Sequence, residues 1–195
     1  MNHSEKSILF AQMQRKGQSL LLYYTWDAGS ALAEVSTEKK TGATALATSS
    51  WAVDAAHGFE DGQLMPRDFM LAITQRIAAC VTVPVTADFE GGYAVSPLDI
   101  EGSTAALLAT GIAGLNFEDQ VVGGAGLYSI SHRCRGLLQY ARLVSGHRFR
   151  RLSTQGQTCF CSKSTMGNMR DLSSRQLPVR GLIKTPVLIV FLSRV

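Results

Sequence analysis

Short apolar runs alternate with amphipathic segments through the first 120 residues of this 195-residue chain. Runs of five to seven apolar residues suit strands that are buried on both faces, and we predict four strands, at Leu20–Tyr24, Thr44–Thr48, Val83–Phe89 and Gly111–Phe117. Apolar residues at helical spacing predict helices over Ser7–Gly17, Gly29–Lys40, Pro66–Cys80 and Pro97–Thr110. A loop that carries His57–Gly62 is expected between the second strand and the third helix, in which Phe69, Ile73, Ile77 and Cys80 are spaced to lie on one face. Strands that alternate with helices in this way are typical of a parallel α/β sheet.

Two of the predicted strands end in carboxylates. Asp88 and Glu90 follow the third strand and are succeeded by Gly91-Gly92, and Glu118 and Asp119 follow the fourth. Right-handed crossovers bring the carboxyl ends of parallel strands to one side of a sheet, so these acids are expected to converge. Hard oxygen ligands at such spacing suit Mg²⁺ with bound water. The alternative is that each strand simply ends in a solvated acidic loop.

Five motifs in the same order resemble those of one family, the isocitrate lyase and phosphoenolpyruvate mutase superfamily. In its phosphonomutase-like branch a strand reading Thr-Ala-Asp-Leu-Glu-Gly-Gly-Tyr precedes another reading Gly-Ile-Asn-Ile-Glu-Asp. Here residues 86–93 read Thr-Ala-Asp-Phe-Glu-Gly-Gly-Tyr and residues 114–119 read Gly-Leu-Asn-Phe-Glu-Asp. The other three motifs are Trp26–Ala31, Ala47–Ser50, and Asp61-Gly62 followed by Pro66-Arg67-Asp68. The resemblance runs from about Phe10 to about Ser131.

The resemblance implies a fold and a metal site. The fold would be part of a (β/α)8 TIM barrel, about its first four βα units, since a full barrel usually needs about 250 residues. Asp88 would contact Mg²⁺ directly, while Asp61, Glu90 and Glu118 would reach it through water. Ser49, Ser50 and the backbone at Trp51 match the positions that hold the substrate. The metal would chelate a small 2-oxo or phosphono carboxylate and stabilise the enolate formed when a C–C or P–C bond breaks.

The chain also departs from the family. The lyases carry Lys-Lys-Cys-Gly-His on a lid after the fourth strand, and the mutases use a lid lysine, but Gln120–Gly126 contains neither Cys nor Lys. We therefore expect a Mg²⁺-dependent lyase or hydrolase that is truncated and inactive. If the protein is active, the molecule it binds would be a small carboxylate substrate. Members of the family are usually homo-oligomeric. The alternative is a non-catalytic remnant or interaction protein whose basic tail binds a polyanion.

Charge divides the chain into two parts. Residues 1–132 carry 7 Lys and Arg against 14 Asp and Glu, a net charge of −7, whereas residues 133–195 carry 12 against 1, a net charge of +11. The basic residues of the tail are scattered singly and show no nucleic-acid-binding motif, so no nucleic acid is expected. Residues 1–17 do not have the pattern of a secretory signal, and the longest apolar run, Pro186–Leu192, is too short to span a membrane. A cytoplasmic location is the expectation.

Nothing in residues 133–195 resembles the rest of a barrel, and we expect a poorly ordered tail of unrelated sequence. The family has the string Phe-Ile-Asn-Ala-Arg-Thr-Asp-Leu-Phe-Leu in its fifth strand. Synonymous codons for Arg151–Cys161 can be chosen so that their bases, read in a shifted frame, encode this string. We hypothesise a frameshift between about Ser131 and Gly136, and a coding sequence without that string in the other frame would exclude it. The alternative is that the tail docks as a strand or two, through Pro178-Val179 and Val187–Leu192.

Overall fold

The structure, a computed structural model, describes residues 1–14, 20–36, 42–118, 121, 123–129, 151–154, 157–159 and 189–193. The helices in these ranges are α1 (His3–Met13), α2 (Ala28–Ser36), α3 (Ser50–Ala56), α4 (Arg67–Cys80) and α5 (Pro97–Ala109). The strands are β1 (Tyr23–Thr25), β2 (Leu46–Thr48), β3 (Val85–Asp88), β4 (Gly114–Glu118), β5 (Arg151–Thr154), β6 (Gln157–Cys159) and β7 (Ile189–Ser193).

The first four strands are parallel neighbours in chain order, as the alternation of strands and helices predicted. Tyr24 pairs with Ala47 and Ala47 with Thr86. Asp88 pairs with Asn116 at the end of β3 and β4. Because all four strands run the same way, their carboxyl ends lie at one edge of the sheet, which is where the predicted acids are found. The prediction of an α/β fold that forms part of a barrel is confirmed.

Beyond β4 the sheet continues with strands from the tail, in the order β4-β7-β5-β6. Strand β7 runs parallel to β4, with Leu115 opposite Val190, and β5 runs parallel to β7. The hairpin partner β6 is antiparallel to β5. Strand docking through Val187–Leu192 was one of the two alternatives for the tail, and Ile189–Ser193 does lie in the sheet. Pro178-Val179, the other segment named for docking, lies outside the described residues.

The core lies between the sheet and its helices. Leu46, Leu115 and Phe117 from the strands pack with Ile77 from α4 and Leu107 from α5, and all five side chains are fully buried. A smaller cluster of Phe10, Ala45 and Ala113 lies beside it. Since Ala45 and Ala113 directly precede β2 and β4, this cluster places α1 across the amino ends of the strands and leaves the carboxyl ends for the site.

Two side chains fasten α1 to the rest of the domain. The Lys6 ammonium donates hydrogen bonds of 2.8 Å to the carbonyl oxygens of Ala78 and Val81, at the end of α4. A ring nitrogen of His3 lies 2.7 Å from the carbonyl oxygen of Ile112. A cation near the last carbonyls of a helix is favourable because these groups have no partner within the helix. Burial lowers the pKa of Lys6, although the carbonyls satisfy its charge.

Several predicted details were wrong. Helix α3 was not predicted, since the segment after Ser50 was read as a loop, and α1 begins at His3, where Asn2 and Glu5 form a capping box. Phe69 was expected on the same face of α4 as Ile73 and Ile77 but is 43% exposed, because Met70 and Thr74 lie beside those two residues on the buried face. No helix in the described part of the chain is long and apolar enough to cross a membrane.

Candidate functional site

The carboxyl ends of β2, β3 and β4 form the floor of the site. Thr48 ends β2, and its hydroxyl accepts a hydrogen bond of 2.9 Å from the backbone N–H of Asp88. Asp88 ends β3 and pairs with Asn116 of β4. Partly buried hydrogen bonds between strand ends hold these polar side chains in fixed positions. Asp88 is therefore held between the two neighbouring strands.

The loop after β3 turns back sharply over the strand ends. Glu90 and Gly92 adopt left-handed backbone conformations, with φ of 47° and 79°, and the N–H of Gly92 donates to the carbonyl of Phe89 at 2.8 Å. The carbonyl of Glu90 accepts from the N–H of Glu118 at 2.7 Å. A left-handed conformation at a residue other than glycine is uncommon and is maintained only where the surroundings impose it. The loop thereby buries Glu90, which is 5% exposed, at the mouth of the sheet.

Both carboxylate oxygens of Asp88 accept hydrogen bonds. Oδ2 accepts from the backbone N–H of Ser50 at 3.2 Å and from its hydroxyl at 2.9 Å. Oδ1 accepts from the side-chain amide of Asn116 at 3.3 Å and from the N–H of Glu90 at 3.5 Å. Donors from three chain segments thus fix the orientation of the Asp88 side chain.

Helix α3 brings a further carboxylate to the pocket. The Ser49 hydroxyl caps the helix by accepting from the N–H of Ala52 at 3.4 Å, and Ser50 and Asp54 lie one turn apart on the face toward β3. Asp54 is 2% exposed and lines the same pocket as Thr48, Asp88 and Glu90. Its Oδ2 atom is buried and has no hydrogen-bond partner among the residues that the structure describes. A buried carboxylate oxygen without a partner is costly, so this atom requires a proton or a cation.

Three carboxylates meet closely enough to share one ion. One oxygen each from Asp54, Asp61 and Glu90 lies within 4.8 Å of the other two. Asp61 is exposed, whereas the other two side chains are buried, so the group faces solvent on one side. Carboxylate oxygens are the ligands that Mg²⁺ prefers, and water would complete its octahedral shell on the open side. The residues present therefore fit a hard divalent cation.

The concentration of acids alters the titration of the site. Burial, reinforced by the charges of Asp54, Asp61, Asp88 and Glu118, raises the pKa of Glu90 to about 8. Burial and the charge of Asp61 also raise the pKa of Asp54, and burial raises that of Tyr93, which lines the pocket. These groups hold their protons more tightly than they would in water, because the pocket disfavours additional negative charge. A bound cation would take the place of those protons.

The residues predicted from the sequence are brought together to different degrees. Asp88 and Glu90 line one pocket, Asp61 joins Glu90, and Glu118 is close enough for its charge to act on Glu90. Ser50 contacts Asp88 directly, while the Ser49 hydroxyl serves as a helix cap. The Trp51 side chain is 66% exposed. Of the segment that corresponds to the lid, Gln120–Gly126, residues 120 and 122 lie outside the described part of the chain.

Sequence reasoning missed Asp54, because the segment from Ser50 onward was taken for a loop. A signal was available in Ser49, a residue type that favours the position before a helix. A helix that starts at Ser50 places Asp54 four residues later, on the same face. His57 was read as a loop residue; it ends α3, its Nδ1 lies 2.8 Å from the Val53 carbonyl, and its ring packs edge-on against Phe69.

Comparison with known proteins agrees with this geometry. The crystal structure of a proposed phosphonomutase from Burkholderia cenocepacia J2315 is similar to this chain, with 37% sequence identity and a TM-score of 0.64. The match covers 71% of this chain and 55% of the phosphonomutase chain. An uncharacterized protein of Mycobacterium tuberculosis H37Rv is 33% identical over 56% of this chain and 40% of its own length. The chain thus spans about half the length of the relatives it matches.

A more distant structure shares the fold alone. The crystal structure of phosphonopyruvate hydrolase, solved with oxalate and Mg²⁺, has 15% sequence identity to this chain and a TM-score of 0.59. The match covers 72% of this chain and 48% of the hydrolase chain. The family described as phosphoenolpyruvate phosphomutase matches residues 10–146, past Ser131, where the resemblance in sequence was expected to stop. Because that match covers most of the chain, this protein belongs to the phosphoenolpyruvate mutase and isocitrate lyase superfamily.

Proposed function

We propose that this chain carries the cation-binding half of a Mg²⁺-dependent lyase or hydrolase site for a small 2-oxo or phosphono carboxylate. The observation that carries the proposal is the convergence of acids from β3, its following loop and the loop after α3 on one pocket at the carboxyl end of the sheet. Enzymes of this family act on small carboxylates, and a family member with the same fold was solved with oxalate and Mg²⁺.

The acidic set of the site comprises Asp61, Asp88, Glu90 and Glu118. When bound, Mg²⁺ would supply electrostatic stabilisation of the enolate formed as a C–C or P–C bond breaks. Asp88 holds Ser50 in place through two hydrogen bonds, and Thr48 holds Asp88. The substrate-binding role of Ser49, Ser50 and the Trp51 backbone follows from the resemblance and remains part of this proposal.

We propose binding without turnover. The segment that corresponds to the lid, Gln120–Gly126, contains no Cys or Lys that could act as general acid or base. The proposed division into a half-barrel over residues 1–132 and a basic tail rests on the change of net charge from −7 to +11, and strands of that tail join the sheet of the half-barrel.

Calorimetry with Mg²⁺, followed by oxalate, tests the proposal. We expect Mg²⁺ to bind, and oxalate to bind only when Mg²⁺ is present, because the anion must otherwise enter a pocket lined by carboxylates. Glu90→Gln should abolish both, whereas Asp68→Asn, which changes an exposed carboxylate on α4, should leave both intact. Oxalate binding that does not depend on Mg²⁺ would contradict the proposal. Pyruvate release from phosphonopyruvate would show that the chain turns substrate over.

A second function, polyanion binding by the tail, is favoured by one observation. Residues 133–195 carry a net charge of +11, and such a segment attracts phosphate-rich polymers in a salt-dependent way. Heparin binding that weakens steeply between low and moderate salt, with no effect of Glu90→Gln, would support it. Binding that is lost with Glu90→Gln would instead locate the anion in the pocket.

A further inference from the structure

Asp54 is the acid in the pocket that the family motifs do not include. The motifs supply Asp61, Asp88, Glu90 and Glu118, whereas Asp54 lies within α3, between two of those motifs. It is nonetheless 2% exposed and lines the pocket with Asp88 and Glu90. Its presence there needs an explanation, because a buried carboxylate is destabilising unless something compensates its charge.

The two aspartates of the pocket differ in their capacity to bind an ion. Both oxygens of Asp88 already accept hydrogen bonds, from Ser50, Asn116 and the Glu90 backbone. Oδ2 of Asp54, by contrast, is buried and has no partner in the described residues. An oxygen with unused lone pairs can ligate a cation without first breaking a hydrogen bond.

The position of Asp54 matches this capacity. One of its oxygens lies within 4.8 Å of an oxygen of Asp61 and of one of Glu90, which is the spacing of ligands around a common ion. These three side chains come from α3, from the loop after it and from the loop after β3. Since the elements that carry Asp54 and Glu90 are fixed by the Ser49 cap and by the Glu118–Glu90 backbone bond, the arrangement is held in place before any ion arrives.

We propose that Asp54 is a direct ligand that this chain adds to the cation site, on a face formed with Asp61 and Glu90. This inference rests on the proposed function, because it assumes that the pocket binds a divalent cation. It extends that function by naming a ligand outside the family's acidic set. An additional carboxylate raises the affinity for a divalent cation and displaces a water from its shell.

The test compares Asp54→Asn with Asp68→Asn in the full chain, with Mn²⁺ and Tb³⁺ as probes. We expect Asp54→Asn to raise the Mn²⁺ dissociation constant at least about 10-fold, while Asp68→Asn leaves it unchanged. Luminescence lifetimes of bound Tb³⁺ in H₂O and D₂O count the water molecules on the ion. We expect about one more water in Asp54→Asn than in the wild type, because a carboxylate oxygen has been replaced by a weaker ligand.

Thermal unfolding separates ligation from a purely structural role. Without a cation, Asp54→Asn should be as stable as the wild type or more stable, since a buried carboxylate with an unpartnered oxygen has been replaced by a neutral amide. The increase in melting temperature that Mn²⁺ causes should shrink in this variant. A structural role would instead lower the melting temperature of the cation-free variant and leave the shift caused by Mn²⁺ intact.

The outcomes distinguish this inference from the proposed function. If the wild type binds neither Mn²⁺ nor Tb³⁺, both are wrong. If the wild type binds and Asp54→Asn binds equally well with an unchanged water count, Asp54 is not a ligand, although the cation site stands. Weaker binding together with an additional water supports both.

Discussion

Gly92 determines how closely the loop after β3 approaches β4. A Cβ atom at this position would lie 2.3 Å from Cε2 and 2.7 Å from Cζ of Phe117, which is fully buried. The backbone at Gly92 also has φ of +79°, where a side chain adds strain. Both constraints act on the loop that positions Glu90, so this single residue links the core to the site.

Gly92→Ala is therefore expected to destabilise the fold by about 2–4 kcal/mol, as the sum of backbone strain and overpacking. Gly58→Ala is the matched control, because Gly58 also has φ of +79° but nothing lies within 4 Å of its added Cβ. That variant should lose only the backbone part, about 1–2 kcal/mol. Urea denaturation of both variants measures the difference, and equal losses would mean that Phe117 moves aside freely.

Glu90 makes the stability of the cation-free protein depend on pH. Burial raises its pKa to about 8, so between pH 4.5 and 8 the folded state retains a proton that the unfolded state has released. Stability is then full at acidic pH and falls as the pH rises through this window, by at most about 1.4 kcal/mol per unit. Denaturation in EDTA at pH 5.5, 7 and 8.5 should show this decline, and Glu90→Gln should flatten it. A wild type with constant stability over the range would contradict the assignment.

At the scale of elements, side-chain hydrogen bonds fix the junction between β1 and α2. Asp27 directly precedes α2, and its Oδ1 accepts from the N–H of Ser30 at 2.6 Å, while the Ser30 hydroxyl accepts from the N–H of Trp26 and of Asp27 at 3.1 Å. Hydrogen bonding to the Ser30 backbone lowers the pKa of Asp27. These bonds connect the end of β1 to the start of α2 and fix the crossover to β2.

Asp27→Ala is expected to lose about 1 kcal/mol of stability, whereas Asp27→Asn retains most of it, because the amide oxygen can still accept from Ser30. Since the folded pKa of Asp27 is lowered, its contribution is present above the unfolded pKa and lost as the pH falls below it. The stability difference between the wild type and Asp27→Ala should therefore narrow in acid, toward the difference between Asp27→Asn and Asp27→Ala. Thermal unfolding at pH 7 and pH 3 checks this expectation, and a constant difference would show that the cap does not depend on charge.

The same scale shows what the sequence could predict. Strands β2 to β4 and helices α4 and α5 coincide with apolar segments of strand or helix length, so their existence and order followed from the sequence pattern. Helix α3 was not predicted because its seven residues, Ser50–Ala56, are too few to establish a helical period. Asp54 was missed with it. The acids at the strand ends were found because their positions depend on the topology of a parallel sheet and not on the details of loops.

At the scale of the whole molecule, β1 and β4, the first and last strands of the half-barrel, differ in their pairing. Strand β1 pairs only with β2 among the described strands. Strand β4 pairs with β3 and also with β7, over five residue pairs from Gly114–Ile189 to Glu118–Ser193. The tail was expected to be unrelated to the half-barrel, yet this segment protects the strand that carries Glu118. A paired β4 leaves fewer open backbone groups than four strands alone would.

Replacing Val190 by proline tests whether the tail contributes to the stability of the half-barrel. Val190 lies opposite Leu115 of β4 and opposite Leu152 of β5, so its strand is central in the sheet. Proline removes the backbone N–H and is expected to destabilise the protein by about 1–3 kcal/mol, whereas Val190→Thr keeps the N–H and a β-branched side chain. Urea denaturation compares the two variants.

If they are equally stable, β7 contributes nothing to the fold, and the half-barrel stands without the tail, as expected for a frameshifted sequence. If proline alone is destabilising, the strand that the tail supplies has become part of the sheet whatever its origin in the coding sequence.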